Sequence, residues 1–287
     1  MIFECVVNVS EGRDDTTLAD LAGAAGGVLL DVHRDPDHNR AVLTLGGDAA
    51  AVTLAVRSLA TAAIERLDLS THEGAHPRFG VLDVVPFVPF EPGRPAPDDL
   101  RDAATLRDGF ARWLGEEVGV PAFVYGPLPD GATRSLPDVR RAAFTGLHPD
   151  FGPAKPDPRA GATAVGARRV LVAYNVWVDS VAAARQVAAA VRGPAVRALG
   201  LAVGDRAQVS CNLIEPDRVG PDRVYDEVEG LVGTAGGHVE GAELVGLIPE
   251  AVLHAIPAAR WRTLGLSDES TVEARLEAGP GPLVETT

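Results

Sequence analysis

The chain has 287 residues, of which 46% are apolar and 23% are charged, a composition typical of a globular protein with one large domain or two ordinary ones. Its formal net charge of −14 argues against a protein that coats nucleic acid or an anionic membrane surface through its overall field. No apolar run approaches the roughly 20 residues of a membrane span, and the N-terminus has no basic segment, so we expect neither membrane insertion nor a secretory signal.

The first part of the chain follows the order strand, helix, strand, strand, helix, strand. Asp48 directly precedes the second helix and is a typical N-cap. Pro86 and Pro89 interrupt the last strand, which predicts an edge position or a bulge for it. The predicted strands are 2–9, 28–32, 41–47 and 82–90, and the predicted helices are 12–27 (a turn and a short helix) and 49–67.

The middle of the chain has weaker patterns. A helix is predicted over 98–118 and a short strand over 121–126. Residues 127–168 are rich in proline, glycine and charge, so we predict a long irregular stretch, which in a compact protein is usually functional or a linker.

From residue 169 the same order of elements begins again. The predicted strands are 169–178, 195–203, 207–215 and 238–248, the helices are 180–193 and 221–236, and a final helix covers 249–256. Both halves therefore follow the split βαβ pattern of ferredoxin-like folds. We predict an α/β (α+β) protein of two ferredoxin-like βαββαβ subdomains, 1–168 and 169–287, with helices outside, facing sheets and a ligand-binding cleft between them.

The densest polar cluster is the loop 72–80, which precedes the strand at 82–90. Histidine takes and returns a proton near neutral pH, so His72 and His76 are candidates for acid–base chemistry. An alternative is a polar loop whose histidines cap neighbouring backbone. A metal pair is a further alternative, but Gly74 and Pro77 argue against a helix and no third ligand is evident.

Three other polar clusters stand out. Residues 8–13 follow the first strand, and residues 35–40 form a turn that is alternatively an Asx-rich hairpin. Residues 150–161 contain Arg159 and the only lysine, Lys155, and are alternatively an interdomain linker. Dinucleotide-binding, P-loop and nucleophile-elbow patterns do not occur in the sequence.

The two cysteines, Cys5 and Cys211, both lie in apolar runs. Two buried thiols do not make a disulfide framework, so a reducing cytoplasm is the expected location.

Taken together, the clusters resemble the formiminotransferase domain family, glutamate formimidoyltransferase, in which a formimino group passes from N-formimino-glutamate to tetrahydrofolate. The patterns in 72–87 and 150–168 are the most specific, and the resemblance extends to about residue 255. The matching stretches are ECVVNVSEG (4–12), LLD and NRAVLT within 29–44, HEGAHPRFGVLDVVPF (72–87), PAFVYG (121–126), DFGPAKPDPRAGATAVGARRVLVAYNV (150–176), AQVSCNL (207–213) and ELVGLIP (243–249).

The resemblance implies a cytoplasmic homodimer of one-carbon metabolism and histidine degradation, with tetrahydrofolate as co-substrate and no metal. It also implies two α/β subdomains whose sheets face each other around a substrate tunnel. In animals the domain is fused to a cyclodeaminase. The chain ends too early to hold one, so we expect any cyclodeaminase to be a separate protein.

The family's catalytic histidine directly precedes Pro-Arg and corresponds to His76. Its imidazole would act as base and then as acid, and Glu73 or Asp83 is the candidate for orienting the ring. The family's folate-contacting loop corresponds to Gly152, Pro153, Ala154, Lys155, Pro156, Asp157, Pro158, Arg159, Ala160 and Gly161. Candidates for the substrate carboxylates are Arg78, Arg40, Lys155 and Arg159, because guanidinium and ammonium groups bind carboxylates, and Asn39 joins this substrate-binding set.

The sequence departs from the family at two places. The family pattern R-x-G-E-Y-E is replaced over 140–145 by Arg-Arg-Ala-Ala-Phe-Thr, without either carboxylate, and Asn-Phe-Ser is Asn-Val-Ser at 8–10. Three functions therefore stay open. The chain is a formiminotransferase, a folate- or anion-binding relative with lost or altered transfer, or a relative that uses His76 on another amidine or formyl donor.

Overall fold

The computed structural model describes residues 1–74, 78–93 and 97–279. These residues form two compact units, one of residues 1–91 and 97–169 and one chiefly of residues 170–277. Each unit has its own β-sheet and its own hydrophobic core.

The start of the first unit has the predicted order of elements. The strands are β1 (Ile2–Val9), β2 (Leu29–Asp35), β3 (Arg40–Gly47) and β4 (Leu82–Phe90), and the helices are α1 (Asp15–Ala25) and α2 (Ala49–Arg66). The strands lie in the order β2-β3-β1-β4 with antiparallel neighbours, which is the ferredoxin-like arrangement. Asp48 accepts a hydrogen bond from the Ala51 N–H, which confirms the predicted N-cap.

The rest of the first unit extends this sheet. Helix α3 (Arg101–Trp113) ends in a π turn, and the predicted strand follows as β5 (Ala122–Pro127). The structure then forms β6 (Thr133–Arg134), α4 (Leu136–Ala142) and β7 (Thr163–Ala167), so the prediction of a wholly irregular 127–168 was wrong. Strand β7 lies between β4 and β5 and runs parallel to both.

The position of β4 also corrects a prediction. Pro86 and Pro89 suggested an edge strand or a bulge, but β4 lies inside the seven-stranded sheet between β1 and β7. The ladder between β1 and β4 shifts register between Asn8 and Val9, so the irregularity is present although the edge is not.

The second unit repeats the split βαβ fold, as predicted. Its elements are β8 (Val172–Val178), α5 (Val181–Val191), β9 (Val196–Val203), β10 (Arg206–Leu213), α6 (Pro221–Thr234) and β11 (Val239–Val245), in the sheet order β11-β8-β10-β9. Three short helices follow where one was predicted: α7 (Glu250–His254), α8 (Ala258–Trp261) and α9 (Val272–Ala278). No helix in the described ranges is long and apolar enough to cross a membrane.

Each core lies between the helices and one face of the sheet. In the first unit, alternate residues of β1, including Cys5, pack with α1 and α2. In the second unit, alternate residues of β8 and Cys211 of β10 pack with α5 and α6. Burial raises the pKa of both thiols, so both cysteines are apolar core residues at neutral pH.

Strand β7 provides a test of the packing in the first sheet. A Cβ added to Gly166 would lie 2.0 Å from Cζ of the buried Tyr125, whose strand pairs with β7. We expect Gly166→Ala to lower the free energy of unfolding by about 1–3 kcal/mol through overpacking. Gly23→Ala, in helix α1, meets no atom within 4 Å and should raise it by about 0.5–1 kcal/mol. Urea unfolding of both variants measures the contrast, and equal midpoints would contradict the predicted packing.

Candidate active site

Three of the predicted polar clusters meet in the first unit. The turn 35–40 between β2 and β3 contacts the loop that precedes β4, and residues 10–13 after β1 contact the same turn. Three segments that are distant in the sequence therefore form one polar centre, with contacts such as that of Ser10 with Gly80, 70 residues apart.

Asn39 joins the three segments. It has a left-handed backbone conformation with a φ of 48°, which asparagine tolerates better than most residues. Its Oδ1 accepts the Gly12 N–H at 3.0 Å and its Nδ2 donates to the Glu73 carbonyl at 3.0 Å. A Cβ at Gly12 would lie 2.4 Å from the Asp35 carbonyl oxygen, so this approach requires glycine.

Arg78 lies across this centre. Its Nε–H donates to Nε2 of His72 at 3.1 Å, and its Nη2 donates to the backbone carbonyls of His38 and Asn39. Burial, and then the nearby charge of Arg40, lower the pKa of Arg78 to about 10, while the carboxylates of Asp83 and Asp35 act in the opposite direction. Arg78 nevertheless stays charged at neutral pH, and His72 must be neutral to accept its hydrogen bond.

Arg40 is the second cation of this centre, and like Arg78 it is half-buried. Burial lowers its pKa, while the carboxylates of Asp35 and Asp83 favour the charged form. Nε of Arg40 and Nη1 of Arg78 are both buried and have no hydrogen-bond partner among residues 1–74, 78–93 and 97–279. Unbonded N–H groups on buried guanidinium groups are costly, so this pair is suited to a carboxylate ligand.

Asp83, in β4, is only 1% exposed. Its Oδ1 accepts the backbone N–H of Phe79 at 2.9 Å and its Oδ2 accepts Nη2 of Arg140 at 2.6 Å. Arg140 lies on α4, inside the stretch predicted to be irregular, so the sequence did not indicate this ion pair. Glu73, the other carboxylate predicted to orient the imidazole, is an exposed residue.

The predicted folate loop docks against the segment that precedes β4. Ala162 N–H donates to the Phe79 carbonyl and Val81 N–H donates to the Ala160 carbonyl, both at 3.0 Å. The Asp157 carboxylate accepts the N–H groups of residues 159 and 160 and shapes the loop. Ala160 and Gly161 are buried and Asp157 is half-buried, whereas Gly152, Pro153, Ala154, Lys155, Pro156, Pro158 and Arg159 are exposed.

The four predicted cationic ligands fall into two groups. Arg40 and Arg78 lie together in the polar centre, close enough for their charges to perturb each other. Arg159 instead pairs with Asp68 at 3.2 Å on the surface, and Lys155 is exposed.

The predicted catalytic residue, His76, lies outside the described residues, between Gly74 and Arg78. Its role therefore stays a prediction, as does the alternative in which it binds a metal with His72. Among the side chains that the structure describes, no three histidine, cysteine or carboxylate groups lie together in a way that would hold a metal ion.

Comparison with known sequences matches residues 2–168 to the formiminotransferase domain, N-terminal subdomain. A glutamate formimidoyltransferase of Streptococcus pyogenes is 34% identical, over 88% of this chain and 90% of that protein. The glutamate formimidoyltransferase of Thermoplasma acidophilum is 31% identical, over 96% and 97%. A formimidoyltransferase-cyclodeaminase of Sus scrofa is 35% identical, over 86% of this chain but only 50% of that protein.

The contact between Arg78 and His72 predicts the protonation behaviour of the imidazole. Burial, and then the charge of Arg78, lower the pKa of His72 from its usual 6.5, while Glu11 raises it and Arg13 lowers it. We expect Arg78→Met to raise the pKa of His72 toward 6.5 without reaching it, because the ring stays half-buried. NMR titration of the ring nitrogens measures this shift.

The control for this titration is Arg66→Met, which removes a cation on α2 that pairs with Asp20 at 3.0 Å. It should leave the pKa of His72 unchanged. An identical His72 titration in the parent and in Arg78→Met would mean that Arg78 does not contact the ring.

Proposed function

The chain belongs to the formiminotransferase family, and on that premise we propose that it transfers the formimino group from N-formimino-L-glutamate to N5 of tetrahydrofolate. Relatives named glutamate formimidoyltransferase match 88% and 96% of this chain, which supports formimino transfer. The proposal includes a cytoplasmic homodimer.

The observation that carries the proposal is the half-buried pair Arg40 and Arg78, each with one buried N–H group that has no hydrogen-bond partner among the described residues. Both proposed substrates carry glutamyl carboxylates, and a protein with a net charge of −14 repels anions through its overall field. A local cationic site is therefore required. The two unbonded N–H groups of the pair supply the directional donors that a carboxylate accepts.

We assign this pair to the carboxylates of the formimino donor, whose glutamate is small enough to be enclosed. The exposed loop from Gly152 to Gly161 is assigned to the folate, which is longer and has a flexible glutamyl tail. Lys155, exposed on that loop, is the cation available for the tail. Arg159 serves the loop mainly through its ion pair with Asp68.

His76 performs the proton transfers in this proposal. N5 of tetrahydrofolate attacks the formimino carbon, a C–N5 bond forms and a tetrahedral intermediate results. His76 takes the proton from N5 and returns it to the glutamate nitrogen as the old C–N bond breaks. The products are 5-formiminotetrahydrofolate and glutamate, and the histidine ends in its starting state. Addition and elimination at an amidine carbon need only positioning and proton transfer.

The first prediction concerns His76. Purified protein mixed with tetrahydrofolate and N-formimino-glutamate should give methenyl-folate absorbance after acidification, and His76→Ala should lower kcat by roughly 10²–10⁴-fold. His238→Ala removes an exposed histidine of the second unit and should leave kcat unchanged. A folded parent that binds folate without forming product would contradict transfer and favour the folate-binding alternative. Product from another amidine or formyl donor alone would identify a different substrate.

The second prediction concerns the arginine pair. Arg40→Met and Arg78→Met should each raise KM for N-formimino-glutamate by roughly 10- to 100-fold, the effect expected for a hydrogen bond to a charged group. The KM for tetrahydrofolate should change much less. Arg66→Met is the matched control for loss of one positive charge. If KM for folate rises instead, the pair binds the folate carboxylates and the assignment of the two substrates is reversed.

A further inference from the structure

We propose that Arg140 and Asp83 are positioning residues, which hold the chain segment after His76 from the side of α4. We call the contacts of Arg140 and Asp83 with this segment the brace. The effect of the brace on catalysis rests on the proposed role of His76, whereas its contacts are observed in the structure. The proposal gives a role to residues 140–144, where the sequence departs from the family pattern, and to an ion pair that no predicted motif contains.

The core of the brace is a relay of two hydrogen bonds through one buried carboxylate. Arg140 donates to Oδ2 of Asp83 at 2.6 Å, and Oδ1 of Asp83 accepts the Phe79 backbone N–H at 2.9 Å. Because Asp83 is 1% exposed, water cannot readily replace either bond. Arg140 therefore acts on the backbone at Phe79 without touching it.

An aromatic cluster supports the same segment. The Phe79 ring packs edge-on against Phe123 of β5, with the ring centroids 5.4 Å apart, and lies 6.4 Å from Phe144, which follows α4. Phe123 and Phe144 pack edge-on at 5.0 Å. Arg140 and Phe144 thus fix one segment through its backbone and its side chain respectively.

Backbone bonds hold the segment from its other side. Ala162 N–H donates to the Phe79 carbonyl at 3.0 Å, and Ser10 Oγ donates to the Gly80 carbonyl at 2.8 Å. A Cβ at Gly80 would lie 2.1 Å from the Ala162 carbonyl oxygen, so the two chains approach as closely as glycine allows. The segment at Phe79 and Gly80 is therefore held by Ser10 and Ala162 on one side and by Asp83, Arg140 and Phe144 on the other.

The segment held in this way follows the proposed catalytic residue closely in the sequence, because Phe79 is three residues after His76. This closeness is the reason for assigning a positioning role to Arg140 and Asp83. The rate of proton transfer falls steeply as the distance between donor and acceptor grows, and a misplacement of about 1 Å can lower the rate about 100-fold. The carboxylate of Asp83 is occupied by Phe79 and Arg140. We therefore assign it to the backbone of the loop and not to the imidazole ring.

The test compares two arginines that are adjacent on α4. Arg140 pairs with the buried Asp83, whereas the side chain of Arg141 is 75% exposed and bonds to Asp138 of the same helix. In Arg140→Met we expect hydrogen exchange of the Phe79 amide to accelerate at least about 10-fold and kcat to fall by roughly 10- to 100-fold, with both KM values within about 3-fold of the parent. Arg141→Met should change none of these quantities.

A second set of variants tests whether Arg140 acts on the Phe79 backbone through Asp83 or affects the reaction independently of Asp83. Asp83→Asn removes the charge that Arg140 contacts, so the Asp83→Asn/Arg140→Met double variant should have the kcat of Asp83→Asn alone. Arg140→Lys should restore part of the lost kcat, since it keeps a cation near the carboxylate. If the kcat losses of the two single variants multiply in the double variant, Arg140 acts independently of Asp83 and the proposed relay is overturned.

Two other outcomes would also overturn the proposal. A rise in KM above about 10-fold in Arg140→Met, at unchanged kcat, would mean that Arg140 contacts substrate. Unchanged exchange at Phe79 would mean that no brace exists, whatever happens to kcat. If the parent itself forms no product, the proposed function fails, but the exchange of the Phe79 amide still decides whether Arg140 holds this segment.

Discussion

Removing the N–H groups of a guanidinium from water costs several kcal/mol unless they find acceptors. The polar centre holds two half-buried guanidinium groups, those of Arg40 and Arg78, and each has one buried N–H group without a hydrogen-bond partner among the described residues. The surrounding structure supplies some of the hydrogen-bond acceptors and negative charges that these two groups require. Arg78 bonds to two backbone carbonyls and to the neutral ring of His72, while Asp35 and Asp83 offset the charge of Arg40. The carbonyls are available only because the chain turns sharply at Asn39. The remaining N–H groups are the part of the site that a ligand can use.

The glycines near the site follow from this same requirement. Gly12 and Gly74 lie so close to the backbone of the turn at 35–40 that a Cβ on either would overlap a carbonyl oxygen at 2.4 Å. Each glycine lets one more strand-end loop reach the turn. The polar centre is therefore built mainly from main-chain groups, with Asn39 as the side chain that joins them. The Arg78 guanidinium adds bonds to two of these main-chain carbonyls.

The halves of the fold that repeat the split βαβ order were predictable from alternating apolar residues, helix caps and glycine stops. Strand β7 was not, because Thr-Ala-Val-Gly-Ala consists of small residues whose pattern matches neither strand nor helix. Helix α4 is seven residues long and has Pro137 in its first turn after the Ser135 cap, so it gives little periodicity to detect. The resemblance to a family identified Arg40 and Arg78 as candidates. It could not identify the pairing of Arg140 with Asp83, since that contact joins residues 57 apart through a helix that was not predicted.

The place of β7 in the sheet bears on how the first unit is completed during synthesis. Strands β4 and β5 leave the ribosome well before residues 163–167, yet they join one sheet only when β7 pairs in parallel with both. Until then β4 has an open edge facing the position that β7 will fill, and β5 lacks its principal partner. The first four strands can assemble early through antiparallel neighbours, whereas the last step waits for a distant segment and is correspondingly slow. A nascent chain that stops before residue 163 would present two apolar strand edges, which chaperones would have to shield.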